Sequence, residues 1–157
     1  MRYAQLTKEQ FEELHEEFAL FLATQKIDIS EWELIKKDKP EIADEELNLF
    51  SDLVWEKVLG KSKYLEHFSE GAINLFKCND DEMLRVVVKS TEDNFDFTQK
   101  DKFEWFLDNS QDEKFEYFRG KKKYSKERND DIFDLVQQGS VVCNGELYEG
   151  ILKIISQ

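Results

Sequence analysis

One proline and six glycines in 157 residues leave no room for long linkers or low-complexity tails. No run of apolar residues approaches the roughly 18 needed to cross a bilayer. The start, "MRYAQLTKEQ", lacks the apolar core of a secretion signal, so the expected location is the cytoplasm. Two cysteines, Cys78 and Cys143, stand far apart and form no C-x-x-C motif, so they read as reduced thiols. Phosphate-binding glycine loops, dinucleotide fingerprints and G-x-S-x-G elbows are all missing from the sequence.

Net positive charge is missing as well. The chain carries 35 acidic and 22 basic residues, a formal −13. Such a chain repels phosphate backbones and anionic membranes, which argues against general nucleic-acid or membrane binding. The excess favours solubility, or a basic partner. Apolar residues at 40%, with 13 phenylalanines, are enough for a folded core. The length suits one domain spanning residues 1–157.

Helical periodicity opens the chain. Thr7-x-x-Gln10 has the form of a capping box. Phe11, Leu14, Phe18, Phe21 and Leu22 follow at spacings of three and four, which predicts one amphipathic helix to about Thr24. Ser30-x-x-Glu33 reads as a second capping box before a short helix that Pro40 stops. Pro40 also suits the first position of the next helix, whose core face would be Ala43, Leu47, Phe50, Leu53, Val54 and Val58, with Gly60 ending it.

Beyond Gly60 the pattern changes. "GAINLFKC" and "MLRVVVK" read as a β-hairpin with strands near 72–78 and 83–89. "YLEHF" at 64–68 is a strand or an extended lead-in. Thr98 is placed to cap a helix to about Asp108, "KFEYF" at 114–118 alternates like a strand, and Ser125 is placed to cap a helix that Gly139 ends. The tail reads as a helix holding Leu147, Ile151, Leu152 and Ile155, with a hairpin closed at Asn144-Gly145 as the alternative. The sum is an α+β fold: N-terminal amphipathic helices, a small antiparallel sheet with a hairpin, and C-terminal helices.

Glu12-x-x-His15 has the spacing of a metal-binding helix. His67 is the only other histidine, and Tyr64 stands where its carboxylate partner should be. His15 falls at the margin of the buried face, so a boundary histidine is the plainer reading. A metal-dependent enzyme using His15, Glu12, His67 and other carboxylates is the rival. No other cofactor is indicated.

A second feature is "FEYFRGKKKYSKERN". Within its ten residues 119–128, Arg119, Lys121, Lys122, Lys123, Lys126 and Arg128 stand with one acid, Glu127, giving a local +5 that leaves −18 for the remainder. Tyr117, Phe118 and Tyr124 interleave them, as on surfaces that combine phosphate contacts with stacking. The segment is a lysine-rich connection or a site for an anion or partner. The C-terminal helix pair resembles a helix-turn-helix, but Glu146 and Glu149 against Lys153 suit DNA poorly.

The stretches "RYAQLTKEQFEELHEEFALFLATQKID", "EWELIKKDKPEIADEELNLFSDLVWEKVL" and "YLEHF" resemble a family of short acidic bacterial proteins known as a domain of unknown function. That resemblance implies a stand-alone cytosolic protein and supplies no catalytic residues. The expected role is a non-enzymatic interaction or regulatory domain, binding a protein partner or itself. An acidic nucleic-acid mimic that binds a basic protein is a further alternative.

Overall fold

In the computed structural model, which describes residues 1–156, the chain divides into two compact units, Met1–Gly60 and Lys61–Gln157. Together they are α+β, with helices at both ends and an antiparallel five-stranded sheet among the described residues.

The first unit is helical. Helix α1 (Lys8–Glu13) begins at the expected capping box: Thr7 Oγ1 accepts from Gln10 N at 3.2 Å, and Gln10 Oε1 accepts from Thr7 N at 2.8 Å. The single helix expected to Thr24 is instead two, because Leu14 leaves helical geometry at φ −101° and ψ 22° before α2 (His15–Thr24) resumes. Helix α2 ends with Lys26 at φ 61°. Lys26 N–H bonds the Ala23 carbonyl and Ile27 N–H the Leu22 carbonyl, which together form a Schellman motif.

Helix α3 (Ile29–Asp38) is capped by Asp28, whose carboxylate accepts from Glu31 N at 2.8 Å, and not by Ser30. The carboxylate two positions earlier reaches the free amide and takes the cap. Helix α4 (Pro40–Lys61) starts at Pro40 as expected but runs through Gly60. Its buried positions are Ala43, Phe50, Ser51 and Leu59, while Leu53 and Val58 are exposed.

Leu6, Phe21, Leu22, Trp32, Ala43 and Phe50 form this unit's core. Half-buried Phe18 packs against it, 5.2 Å from the Trp32 ring and 5.0 Å from the Phe50 ring. The N-terminal strap is tied to α4 by polar contacts. Asp52 accepts from Arg2 N and Tyr3 N, buried Ser51 accepts from Leu6 N, and Trp55 Nε1 donates to the Ala4 carbonyl.

The second unit holds β1 (Tyr64–Phe68), β2 (Ala72–Cys78), β3 (Glu82–Ser90), α5 (Lys100–Asp108), β4 (Phe115–Lys123), α6 (Arg128–Gln137), β5 (Val141–Cys143) and α7 (Glu146–Ile155). The strand order is β4-β3-β2-β1-β5, with every pairing antiparallel. The hairpin is β2–β3, and "YLEHF" is a full strand between β2 and β5. The tail resolves its alternatives by using "VVC" as a strand on β1 and the rest as a helix.

One sheet face carries Ile73, Leu75, Val86 and Val88 into a core with Phe95, Phe97, Phe106, Phe115, Tyr148 and Ile151. Alternation along the strands turns Asn74, Phe76, Met83, Arg85 and Val87 to the opposite face.

Two expected caps differ. Thr98 donates its hydroxyl to Asp96 and leaves Gln99 to begin α5. Ser125 donates its amide and hydroxyl to buried Asp131, and Glu127 begins α6. Gly139 ends α6 at φ 111° in a Schellman motif, with Gly139 N–H bonding the Val136 carbonyl and Ser140 N–H the Leu135 carbonyl.

Candidate functional site

Strand β4 is longer than its sequence suggests. Hydrogen bonding to β3 carries it from Phe115 to Lys123, so most of the basic segment is strand and not connection. Backbone pairing decides this, since a run of consecutive cations on an exposed edge leaves no apolar pattern. Arg119, Lys121, Lys122 and Lys123 all lie on this strand, at the end of the sheet. None of them has an ion pair among the described residues.

The other two cations are engaged elsewhere. Lys126 Nζ lies 2.7 Å from Asp134, and the Asp134 carboxylate raises the Lys126 pKa. Arg128 donates to the Ser62 carbonyl and, at 3.2 Å, to the Cys78 carbonyl, holding α6 to the ends of two segments.

The aromatic interleave also separates. Tyr117 donates its hydroxyl to the Ser110 carbonyl, and Tyr124 donates to the Asn79 carbonyl at 2.6 Å. Burial pushes the Tyr124 phenol up to about 12. Phe118 alone is offered to solvent, 47% exposed, with Lys89 Nζ 5.5 Å from its ring centre.

A groove of about 450 Å³ crosses the second sheet face, lined by His67, Asn74, Phe76, Met83, Arg85, Gly120, Lys121, Lys122, Leu135, Gln138 and Ser140. The register explains its shape. Phe76, Arg85 and Gly120 stand in one row across β2, β3 and β4. Met83 and Lys122 form the adjacent pair. Strand alternation sends the Lys121 side chain to the other face, which makes Arg85 and Lys122 the cations of the groove.

Arg85 is held in place. Its guanidinium donates to Asn74 Oδ1 and lies 5.7 Å from the Phe76 ring centre. Opposite it, a Cβ added at Gly120 would meet nothing within 4 Å. His67, at the far wall, lies close to Gly139, where an added Cβ would come within 3.3 Å of its Nε2.

The metal alternative gains no geometry. Among the described residues, no group of three or more His, Cys, Asp or Glu side chains is arranged to hold a metal ion. Exposed His15 donates from Nδ1 to the backbone carbonyl of Glu12, 2.9 Å away, and not to its carboxylate. His15 belongs to the first unit and His67 to the second.

The resemblance to a helix-turn-helix also dissolves, because β5 is inserted between α6 and α7 and pairs with β1. No helix among the described residues is long and apolar enough to cross a membrane.

A family profile described as "Family of unknown function (DUF6495)" matches residues 1–156, across both units. The chain belongs to that family. No curated protein and no solved structure matches it. The family brings no assigned activity, so what the site can do rests on its own geometry.

Sequence reasoning singled out Lys121, Lys122 and His67 but missed Arg85, Asn74 and Gln138. The available signal was "MLRVVVK" itself, where Arg85 interrupts the apolar run from Met83 to Val88.

Proposed function

We propose that this protein is a non-catalytic interaction domain, and that β4 is the surface on which it receives an acidic segment of a partner protein. The observation that carries the reading is four cations on one edge strand, Arg119, Lys121, Lys122 and Lys123, without an ion pair on a chain of net charge −13. With 35 acids available, internal neutralisation was open to these side chains and is not used. Lysines on an edge strand deter apolar strands from adding to the sheet. They admit one kind of segment preferentially, an extended chain with carboxylates at alternate positions, by charge complementarity and main-chain pairing.

The same strand weighs against a nucleic-acid mimic, which needs an unbroken negative face. A second copy of this chain is a less specific occupant, since its acidic residues lie mainly on helices and do not offer an extended edge.

Fluorescence anisotropy with a labelled peptide of alternating Glu and Val tests the reading. Binding should weaken steeply as salt rises and should be lost in a Lys121→Glu/Lys123→Glu variant. Amide NMR shifts should concentrate in residues 115–123. No binding at low salt, or equal binding by the variant, would overturn it. Tighter binding of a single-stranded oligonucleotide of equal charge would overturn it in favour of nucleic acid.

A further inference from the structure

We infer that the groove over Gly120 is a binding site for a small anion with a flat apolar body, such as an aryl phosphate ester or an aryl dicarboxylate. This goes beyond the acidic partner of β4: it lies on the face of the sheet, shares the Lys122 side chain with that edge, and is tested at Arg85 and Gly120 instead of Lys121 and Lys123.

The first support is charge. Acidic residues number 35 of 157, yet none of the eleven lining residues is acidic. Every formally charged lining residue is a cation. Arg85 and Lys122 sit diagonally on neighbouring strands of one face, since Lys122 pairs with Met83, two residues before Arg85. Diagonal positions are about 7–8 Å apart, within reach of long side chains, so the two heads can converge on one anion. Neither has an ion pair among the described residues.

The second support is preorganisation. Asn74 and the Phe76 ring hold the Arg85 guanidinium, which leaves further N–H donors for a ligand. Asn74 uses Oδ1 for Arg85 and retains its amide N–H groups. Gln138 and His67 add polar groups along the opposite wall.

The third support is shape. The floor includes Phe76 and Met83, 8% and 2% exposed, an apolar base for a planar body. Opposite Arg85, where any other residue would project a side chain, Gly120 leaves open space. A volume of about 450 Å³ falls in the range of small-molecule sites and exceeds what a bare phosphate fills.

Titration of the full chain, followed by amide NMR and calorimetry, tests this with four probes: phenyl phosphate, phthalate, inorganic phosphate and benzyl alcohol. The aryl anions should bind at least about ten-fold tighter than either inorganic phosphate or benzyl alcohol. Whichever aryl anion binds tighter names the head group. Gly120→Leu, which the open space admits, should keep the fold and abolish binding. Arg85→Gln should weaken binding about ten-fold or more. Lys100→Gln, on α5, should change nothing. Equal affinity for all four probes, no binding up to about 10 mM, or full binding by Gly120→Leu would overturn the site. Should Gly120→Leu fail to fold, Arg85→Gln decides alone, and unchanged affinity there overturns it equally.

Discussion

Gly145 lies against the face of Tyr64 so closely that a Cβ on it would fall 2.5 Å from Tyr64 Cδ2. Its φ of 83° lies in the left-handed region as well. Two separate constraints therefore hold one residue at the start of α7. Left-handed backbone costs a residue with a Cβ about 1–2 kcal/mol, before the ring is displaced. Gly145→Ala should lower unfolding stability by about 2 kcal/mol or more in urea titration. A loss within about 0.5 kcal/mol, the size of an ordinary surface change, would contradict the contact.

The same Tyr64 takes part in a polar cluster that ties α7 to the sheet. Glu149 accepts from the Tyr64 hydroxyl at 2.7 Å and from Lys77 Nζ at 3.1 Å. The hydrogen bonds from Tyr64 and Lys77 hold the Glu149 carboxyl below its ordinary 4.5. The carboxylate in turn raises Tyr64 above 10.0 and Lys77 above 10.5. A lowered carboxyl contributes stability above its unfolded pKa and loses it as pH falls through the folded value. A raised phenol or ammonium contributes below its unfolded pKa and loses it as pH rises through the folded value. The stability gap between wild type and Glu149→Gln should therefore be full between pH 4.5 and 10.0 and narrow on either side. The groups are largely solvated, so the gap is small and best read from repeated denaturant titrations across pH. A gap that persists unchanged well below pH 4.5 would remove the charge from the account.

Local chemistry made much of this fold legible. Thr7 and Gln10 announce α1, Pro40 opens α4, and Gly139 ends α6, because each acts within a few residues of its own position. The β2–β3 hairpin was readable from two apolar runs around a polar turn. Strand β4 was legible only to Phe118, where its apolar alternation stops. The remaining five residues are strand because β3 pairs with them, and no feature of "RGKKK" reports a distant partner. Caps failed where a nearby carboxylate intervened: Asp28 took the amide expected for Ser30, and Asp131 drew the amide and hydroxyl of Ser125 to itself. The groove was illegible for a similar reason, since His67, Asn74, Arg85, Lys122 and Gln138 come from five separate elements or turns joined only by register.

Lys26 is the one non-glycine residue with positive φ among the described residues, at 61°. It occupies the left-handed position of the Schellman motif that closes α2, with its side chain exposed. Glycine relieves the left-handed strain but gives the unfolded chain more freedom to lose. Relief of the strain outweighs that added freedom, so Lys26→Gly should stabilise by about 0.5–1 kcal/mol. Lys26→Ala should bring no such gain, because alanine keeps the Cβ. Melting temperatures of the two variants separate the cases, and a destabilised Lys26→Gly would refute the strain argument.

The two cysteines should react at very different rates in the folded protein. Cys78 is buried in β2, and burial pushes its thiol up to about 11 despite the nearby Arg128 charge. Cys143 is half-buried in β5, and burial raises its thiol as well. Only the thiolate attacks a disulfide reagent, so at pH 8 Cys78 offers about one reactive form in a thousand and has little access besides. An aromatic disulfide reagent should therefore modify one thiol in the native state and the second only as the protein unfolds. Cys143→Ser should remove the first phase, and Cys78→Ser should leave it intact. Rapid native-state modification that survives Cys143→Ser would show that Cys78 is not shielded as the sheet requires.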